Sequence, residues 1–128
     1  MKLAVDASAV LAILFDESDS EIYLSKLLNA SSLWISAVNW WEVQVHAHGR
    51  YGPPGRDRSA AFMESIEMRI EPVTLEHARL ALDAFERYRG RPARLNMGDC
   101  FAYALARVKD LPLLYKGEDF RHTDIPPA

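Results

Sequence analysis

The sequence predicts an α/β fold in which a mostly parallel sheet is covered by helices on both faces. Short apolar runs with strand character alternate along the chain with longer segments whose apolar residues recur at helical spacing. The chain has 128 residues, 49% of them apolar, which is typical of one domain with one core. We therefore expect a single domain over residues 1–128, with its site beyond the carboxyl ends of the strands.

The predicted elements can be placed in chain order from apolar spacing and turn residues. They are a strand at 2–5, helices at 9–15 and 21–28, a strand at 33–35, helices at 37–48 and 57–68, a strand at 69–73, helices at 75–89 and 96–109, a strand at 111–115 and a last short strand at 123–125. Segment 49–55, rich in glycine and proline, predicts a loop between two helices. Pro72 marks 69–73 as an edge strand, because proline cannot donate to a strand ladder.

Apolar stripes predict which faces of two of these helices point towards the core. The stripes are Val38, Trp41 and Val45 in the helix at 37–48, and Ala78, Leu82 and Phe85 in the helix at 75–89.

Charge and cysteine content narrow the class of protein. The net charge of −3 does not indicate nucleic-acid binding by the whole surface. A single cysteine, Cys100, rules out an internal disulfide and favours a reducing compartment, so we expect a cytoplasmic protein. No apolar run approaches the ~18–20 residues that cross a bilayer, so we expect no membrane association.

Four acidic residues from separate segments are predicted to meet at one edge of the sheet. Asp6 follows the first strand, and Asp119 follows the strand at 111–115. Asp99 opens a helix whose N-terminus points to the same edge, and Glu42 lies about 9 Å into the helix after the second strand, at ~1.5 Å per residue. Each acid alone is as readily explained as a cap or a turn residue.

Four carboxylates at one edge favour a site for a hard divalent cation, Mg²⁺ or Mn²⁺. Gathered carboxylates repel one another, and oxygen ligands suit these two ions. One ion, or two ions ~3.5–4 Å apart, could activate a water and stabilise the leaving oxygen in phosphodiester cleavage.

Other phosphate chemistries fit the chain less well. It has no P-loop and no GxGxxG motif. A phosphatase of the haloacid dehalogenase type requires a second aspartate two residues after Asp6, where Ser8 stands. A response-regulator receiver requires an aspartate after a central strand, whereas the second strand ends in Ser36.

Four segments of the chain match a known family. They are Asp6–Ala9, Ile35–Ala37 with Glu42, Leu95–Ala106 and Leu113–Phe120. Together they resemble the PIN-domain ribonucleases, and most of all the VapC toxins of bacterial type II toxin–antitoxin modules. The Asn-x-Gly-Asp-Cys and Lys-Gly-x-Asp-Phe segments are specific when they occur together, and the resemblance covers essentially the whole chain.

The resemblance implies a single PIN domain over residues 1–128 with a three-layer α/β/α fold. It also implies endonucleolytic cleavage of RNA with Mg²⁺ or Mn²⁺, a homodimer, and neutralisation by a VapB-type antitoxin. The implied catalytic and metal-binding residues are Asp6, Glu42, Asp99 and Asp119. Glu118 or Asp124 could share the role of Asp119.

A further set of residues is a candidate for contact with substrate. Its members are Ser8, Arg87, Arg89, Arg91, Arg94 and Lys116. The resemblance assigns Ser8 to support of Asp6. The four arginines, called the arginine cluster below, could hold phosphates or form a solvated loop. The alternative function is a catalytically silent PIN module that binds RNA or protein, but a silent module need not keep all four acids. A smaller alternative is an unrelated α/β binding domain.

Overall fold

Four short parallel strands form the central sheet, in the order β3-β2-β1-β4. The computed structural model describes all 128 residues. The strands are β1 (Lys2–Val5), β2 (Ser32–Ser36), β3 (Arg69–Glu71) and β4 (Leu113–Leu114). Because every pairing is parallel, the carboxyl ends of all four strands lie at one edge. The outer position of β3 confirms that this segment is an edge strand.

Helices cover both faces of the sheet, which confirms the predicted three-layer α/β/α fold. They are α1 (Ala7–Leu14), α2 (Ser20–Asn29), α3 (Ala37–Tyr51), α4 (Pro53–Ser65), α5 (Leu75–Tyr88), α6 (Met97–Lys109) and a 3-10 helix at Asp119–His122. None of them has the length and hydropathy needed to cross a bilayer.

The alternation of side chains along β1 divides the core into two layers. Leu3 and Val5 pack with apolar residues of α1 to α4, whereas Ala4 packs with residues of α5 and α6. Ala102 and Ala106 of α6 are buried. Their small side chains let α6 lie close to the sheet, which brings its N-terminus to the edge where the strands end.

Two predictions about element boundaries were wrong. The predicted loop at 49–55 is a single residue, Gly52, whose positive φ of 70° reverses the chain between α3 and α4. Proline is compatible with the first turn of a helix, so α4 begins at once at Pro53. The predicted strand at 123–125 does not form, and only a single parallel bridge between Leu113 and Pro127 extends the sheet.

Two predictions about helix faces were also wrong. In α3, Trp41 is 56% exposed and the buried residues are Asn39, Val43 and Ala47. In α5 the buried residues are His77, Ala81 and Ala84, whereas Leu82 is 58% exposed and Phe85 is also exposed. The apolar stripes exist, but they face the surface, so burial within this chain does not account for them.

Gly55 allows the close packing of α3 against α4. A Cβ at this position would stand 2.5 Å from the carbonyl oxygen of Ala47 and 2.6 Å from Cβ of Tyr51. We predict that Gly55→Ala lowers the free energy of unfolding by about 1–3 kcal/mol through overpacking. Gly49→Ala is the matched control, because nothing lies within 4 Å of that Cβ. It should raise stability by up to about 1 kcal/mol, and urea unfolding curves in which both variants behave alike would contradict the account.

Candidate active site

Asp6 is the most deeply buried of the four acids. It caps α1 where β1 ends, and its side chain is only 5% exposed. Its Oδ2 accepts hydrogen bonds from the backbone N–H of Ser8 at 3.0 Å and from the Ser8 hydroxyl at 2.5 Å. Burial, with a smaller contribution from the charge of Glu42, raises the pKa of Asp6 to about 6 despite these bonds.

Asp99 both caps α6 and faces the other acids. The predicted capping box is confirmed, since Asp99 N–H donates to Asn96 Oδ1 at 2.9 Å and Asp99 Oδ2 accepts from Asn96 N–H at 3.0 Å. Burial raises the pKa of Asp99 to about 7, and the charges of Asp6, Asp119 and Glu42 add to the rise. The hydrogen bond from Asn96 lowers this pKa, so burial and the charges of three other acids together outweigh the effect of the cap.

Glu42 reaches this group across the first turn of α6. Its Oε1 accepts a hydrogen bond of 2.7 Å from the side-chain amide of Asn39, which also donates to the carbonyl oxygen of Gly98 at 3.0 Å. A Cβ on Gly98 would collide with the Glu42 carboxylate. The glycine therefore makes room for a carboxylate from α3 beside the N-terminus of α6.

Asp119 is distinguished from its two acidic neighbours by its surroundings. Asp119 is exposed at the start of the 3-10 helix, and its charge raises the pKa of Asp99. Glu118 is instead paired with Arg121 at 2.6 Å. Asp124 accepts from the Tyr103 hydroxyl at 2.8 Å and pairs with an arginine of α6 at 3.2 Å. Among these three acids, Asp119 fits the group best.

The donor atoms gathered at this edge are all oxygens. Oxygen-only sets suit hard divalent cations and do not suit zinc, which favours nitrogen and sulfur. No group of three or more His, Cys, Asp or Glu side chains is arranged so that it could hold a metal ion. The four acids thus interact through their charges, and the chemistry of their donors fits Mg²⁺ or Mn²⁺.

Lys116 lies beside the site, but its ammonium group is already paired. Nζ contacts Glu17 at 2.8 Å and Asp19 at 2.9 Å, and these bonds raise the pKa of Lys116 to about 12. The backbone N–H of Lys116 donates to the hydroxyl of Ser8 at 2.9 Å. Lys116 therefore ties its loop to α1 and to the residue that orients Asp6.

The arginine cluster does not touch the four acids. Arg87 pairs with Asp83 at 3.5 Å, and Arg89 stacks over a phenylalanine ring at 5.3 Å. Arg91 and Arg94 are exposed in the loop between α5 and α6.

Sequence reasoning missed Asn39 and gave no role to Gly98, although Gly98 lies in the Asn-x-Gly-Asp-Cys segment. Asn39 is a fully buried polar side chain three residues before Glu42, and such a pair shares one face of a helix. That spacing could have indicated that Asn39 supports Glu42. The contact between Asn39 and Gly98 could not be read from the sequence, because the two residues are 59 positions apart.

Comparisons with known proteins identify the family. A model of the PIN domain family matches residues 3–126. Ribonuclease VapC28 of Mycobacterium tuberculosis is 41% identical over 126 residues, which are 96% of this chain and 95% of that protein. The chain belongs to the VapC family of PIN-domain proteins. Ribonuclease VapC of Mycolicibacterium smegmatis is 37% identical over 125 residues, which are 96% of this chain and 97% of that one.

A solved VapC structure has the same fold. The crystal structure of Mycobacterium tuberculosis VapC20, described as a toxin that cleaves the sarcin–ricin loop, superimposes with a TM-score of 0.79. The match covers 98% of each chain at 20% identity. The PIN-like fold that the sequence predicts is thereby confirmed.

The raised pKa of Asp6 predicts that its carboxylate destabilises the metal-free protein at neutral pH. The folded pKa, about 6, lies above the unfolded value of 3.8, so the contribution of Asp6 to stability is most favourable below pH 4 and is lost as the pH rises through 6. Asp6→Asn should therefore raise the free energy of unfolding at pH 8 in EDTA by about 1–3 kcal/mol.

Urea unfolding at pH 4 and pH 8 checks this prediction. The difference between Asp6→Asn and the unmodified protein should vanish at pH 4. Asp57→Asn, which changes an exposed carboxylate paired with Arg56, is the control and should shift stability by less than about 0.5 kcal/mol. A destabilised Asp6→Asn at pH 8 would contradict the account.

Proposed function

We propose that this chain is a Mg²⁺- or Mn²⁺-dependent endoribonuclease that acts as the toxin of a type II toxin–antitoxin module. The observation that carries the proposal is the mutual influence of Asp6, Glu42, Asp99 and Asp119 at one edge of the sheet. In a member of the VapC family, such a set of carboxylates is the expected machinery for cleaving RNA. Cytoplasmic RNA is the substrate class, and its phosphodiester bond is the reacting group.

Asp6 and Asp99 are the principal ligands in this proposal, with Glu42 and Asp119 completing the set. The raised pKa values of Asp6 and Asp99 reflect burial and repulsion by neighbouring carboxylates, and a divalent cation would offset both effects. When bound, Mg²⁺ or Mn²⁺ supplies positive charge for the leaving oxygen and lowers the pKa of a coordinated water.

The residues of the chain orient the carboxylates for this chemistry. Both bonds from Ser8 fall on Oδ2 of Asp6, which fixes the rotation of that carboxylate. The capping box holds Asp99, and Asp119 stands on the solvent side, from which an RNA strand enters. Preorganised groups of this kind need not rearrange during the reaction.

Arg91 and Arg94 are the members of the arginine cluster best placed to hold the RNA backbone. Both side chains are exposed and have no ion-pair partner, so they can contact phosphates without breaking existing interactions. Arg87 and Lys116 are engaged in ion pairs, and we assign them to support of their loops. Ser8 acts on Asp6 and has no direct substrate role in this proposal.

The protein partners in this proposal are a VapB-type antitoxin and a second copy of the chain. The acidic site suits an arginine side chain of the antitoxin. For the homodimer we propose the groove between α5 and α6, which has a volume of about 370 Å³. All of its lining residues are apolar, namely Ala78, Ala81, Leu82, Phe85, Met97, Cys100 and Phe101. An exposed groove of this composition is typical of a protein interface.

Substitution of the acids tests the proposed activity. Asp6→Asn and Asp99→Asn should each lower Mg²⁺-dependent RNA cleavage by at least about 100-fold. Asparagine caps a helix about as well as aspartate but lacks the charge that binds the cation. Circular dichroism should show both variants folded, and retained cleavage in either one would contradict the proposal.

A matched pair of substitutions tests which of two adjacent acids, Glu118 or Asp119, takes part in cleavage. Asp119→Asn should lower cleavage, whereas Glu118→Gln should leave it within about twofold, because Glu118 is paired with Arg121. Cleavage of one labelled RNA at a fixed Mg²⁺ concentration measures both. The reverse order of effects would assign the fourth acid to Glu118.

A charged residue in the α5–α6 groove tests the homodimer. Leu82→Asp should convert a dimer into a monomer in sedimentation velocity, because it buries an unpaired charge in an apolar interface. Ile22→Asp is the control, since Ile22 is also 58% exposed but lies on α2. The proposed interface would be wrong if Leu82→Asp sedimented as a dimer or if the unmodified protein were a monomer.

A further inference from the structure

Asn39 occupies a position that opposes stability. It is completely buried in the first turn of α3. Its amide nitrogen has two partners, but its Oδ1 is buried without one. An unsatisfied buried oxygen is unfavourable, so an apolar residue would serve the core better.

The two partners of Asn39 determine which way its amide faces. Oε1 of Glu42 and the carbonyl oxygen of Gly98 are both acceptors, so both protons of the amide nitrogen are used. The flipped amide would set its oxygen against two acceptors. The contact therefore joins the carboxylate of Glu42 in α3 to the first turn of α6, next to Asp99.

This contact is the link by which Glu42 is oriented. As a member of α6, the carbonyl oxygen of Gly98 already belongs to the hydrogen-bond pattern of the helix, so it does not need Asn39 for its own pairing. No other side chain donates a hydrogen bond to Glu42. Removing the amide would leave the glutamate free to rotate away from Asp99 into solvent.

We propose that Asn39 is a positioning residue that sets divalent-cation affinity by holding the Glu42 carboxylate against the first turn of α6. The inference rests on the proposed function, and it adds that the geometry of Glu42 depends on an amide in its own helix. Residues that orient metal ligands in this way commonly change metal affinity by 10–100-fold when they are replaced.

A double-mutant cycle on Mn²⁺ binding tests the proposal. The dissociation constant is measured at pH 8 from the electron paramagnetic resonance signal of free Mn²⁺, with RNA cleavage measured on the same samples. Asn39→Leu should weaken Mn²⁺ binding about tenfold. Asn39→Ala should have the same effect, and it replaces Asn39→Leu in the cycle if leucine is too large for the site and the protein does not fold. In a Glu42→Ala background, Asn39→Leu should change the dissociation constant by less than twofold, because it would act only through Glu42.

Asn29→Leu is the matched control, since Asn29 is exposed on α2 and should leave Mn²⁺ binding unchanged. Unchanged binding in Asn39→Leu, or an equal loss in both backgrounds, would overturn the positioning role while the proposed function stands. An unmodified protein that neither binds Mn²⁺ nor cleaves RNA would overturn the proposed function and this inference with it.

Discussion

The burial of carboxylates close to one another is the constraint on which the rest of the structure depends. Burial raises the pKa of Asp6 to about 6 and that of Asp99 to about 7. The charge of Glu42 contributes to both shifts, and the charge of Asp6 contributes to that of Asp99. A fold selected only for stability would avoid this arrangement. The parallel sheet enforces it, because Asp6 directly follows β1 and α6 returns its N-terminus to the same edge.

Local features of the fold partly offset the repulsion. Asp6 and Asp99 each stand at the start of a helix, where free N–H groups and the helix dipole favour negative charge. Ser8 adds two hydrogen bonds to Asp6, and the paired ammonium of Lys116 keeps the neighbouring loop in place. The absent side chain of Gly98 allows Glu42 to approach. Stabilising hydrogen bonds and helix termini thus surround a group of carboxylates that repel one another. This arrangement is expected where binding takes precedence over stability.

Features set by short-range chemistry could be predicted from the sequence. The strand–helix alternation predicts the sheet, and the Asn96–Asp99 pair predicts the capping box that the structure contains. The position of Asp6 directly after a strand places it at the edge where sites form. The PIN-like fold was implied by the resemblance of four segments to that family.

Features set by contacts between distant segments could not be predicted in the same way. Periodicity identifies an apolar stripe but not what covers it, and the stripes that contain Leu82 and Trp41 are exposed at both residues. The length of the break at Gly52 depends on the close approach of two helices, which the glycine and proline content does not reveal. The pairing of Lys116 with Glu17 joins residues 99 positions apart.

The central claim is that the carboxylates at the strand edge form one cation site. Anomalous diffraction from crystals of the protein soaked in Mn²⁺ tests it most directly. The account predicts a peak bonded to carboxylate oxygens of both Asp6 and Asp99, at distances of about 2.0–2.3 Å. A peak bound elsewhere, or carboxylates held too far apart to share one ion or a close pair of ions, would contradict it.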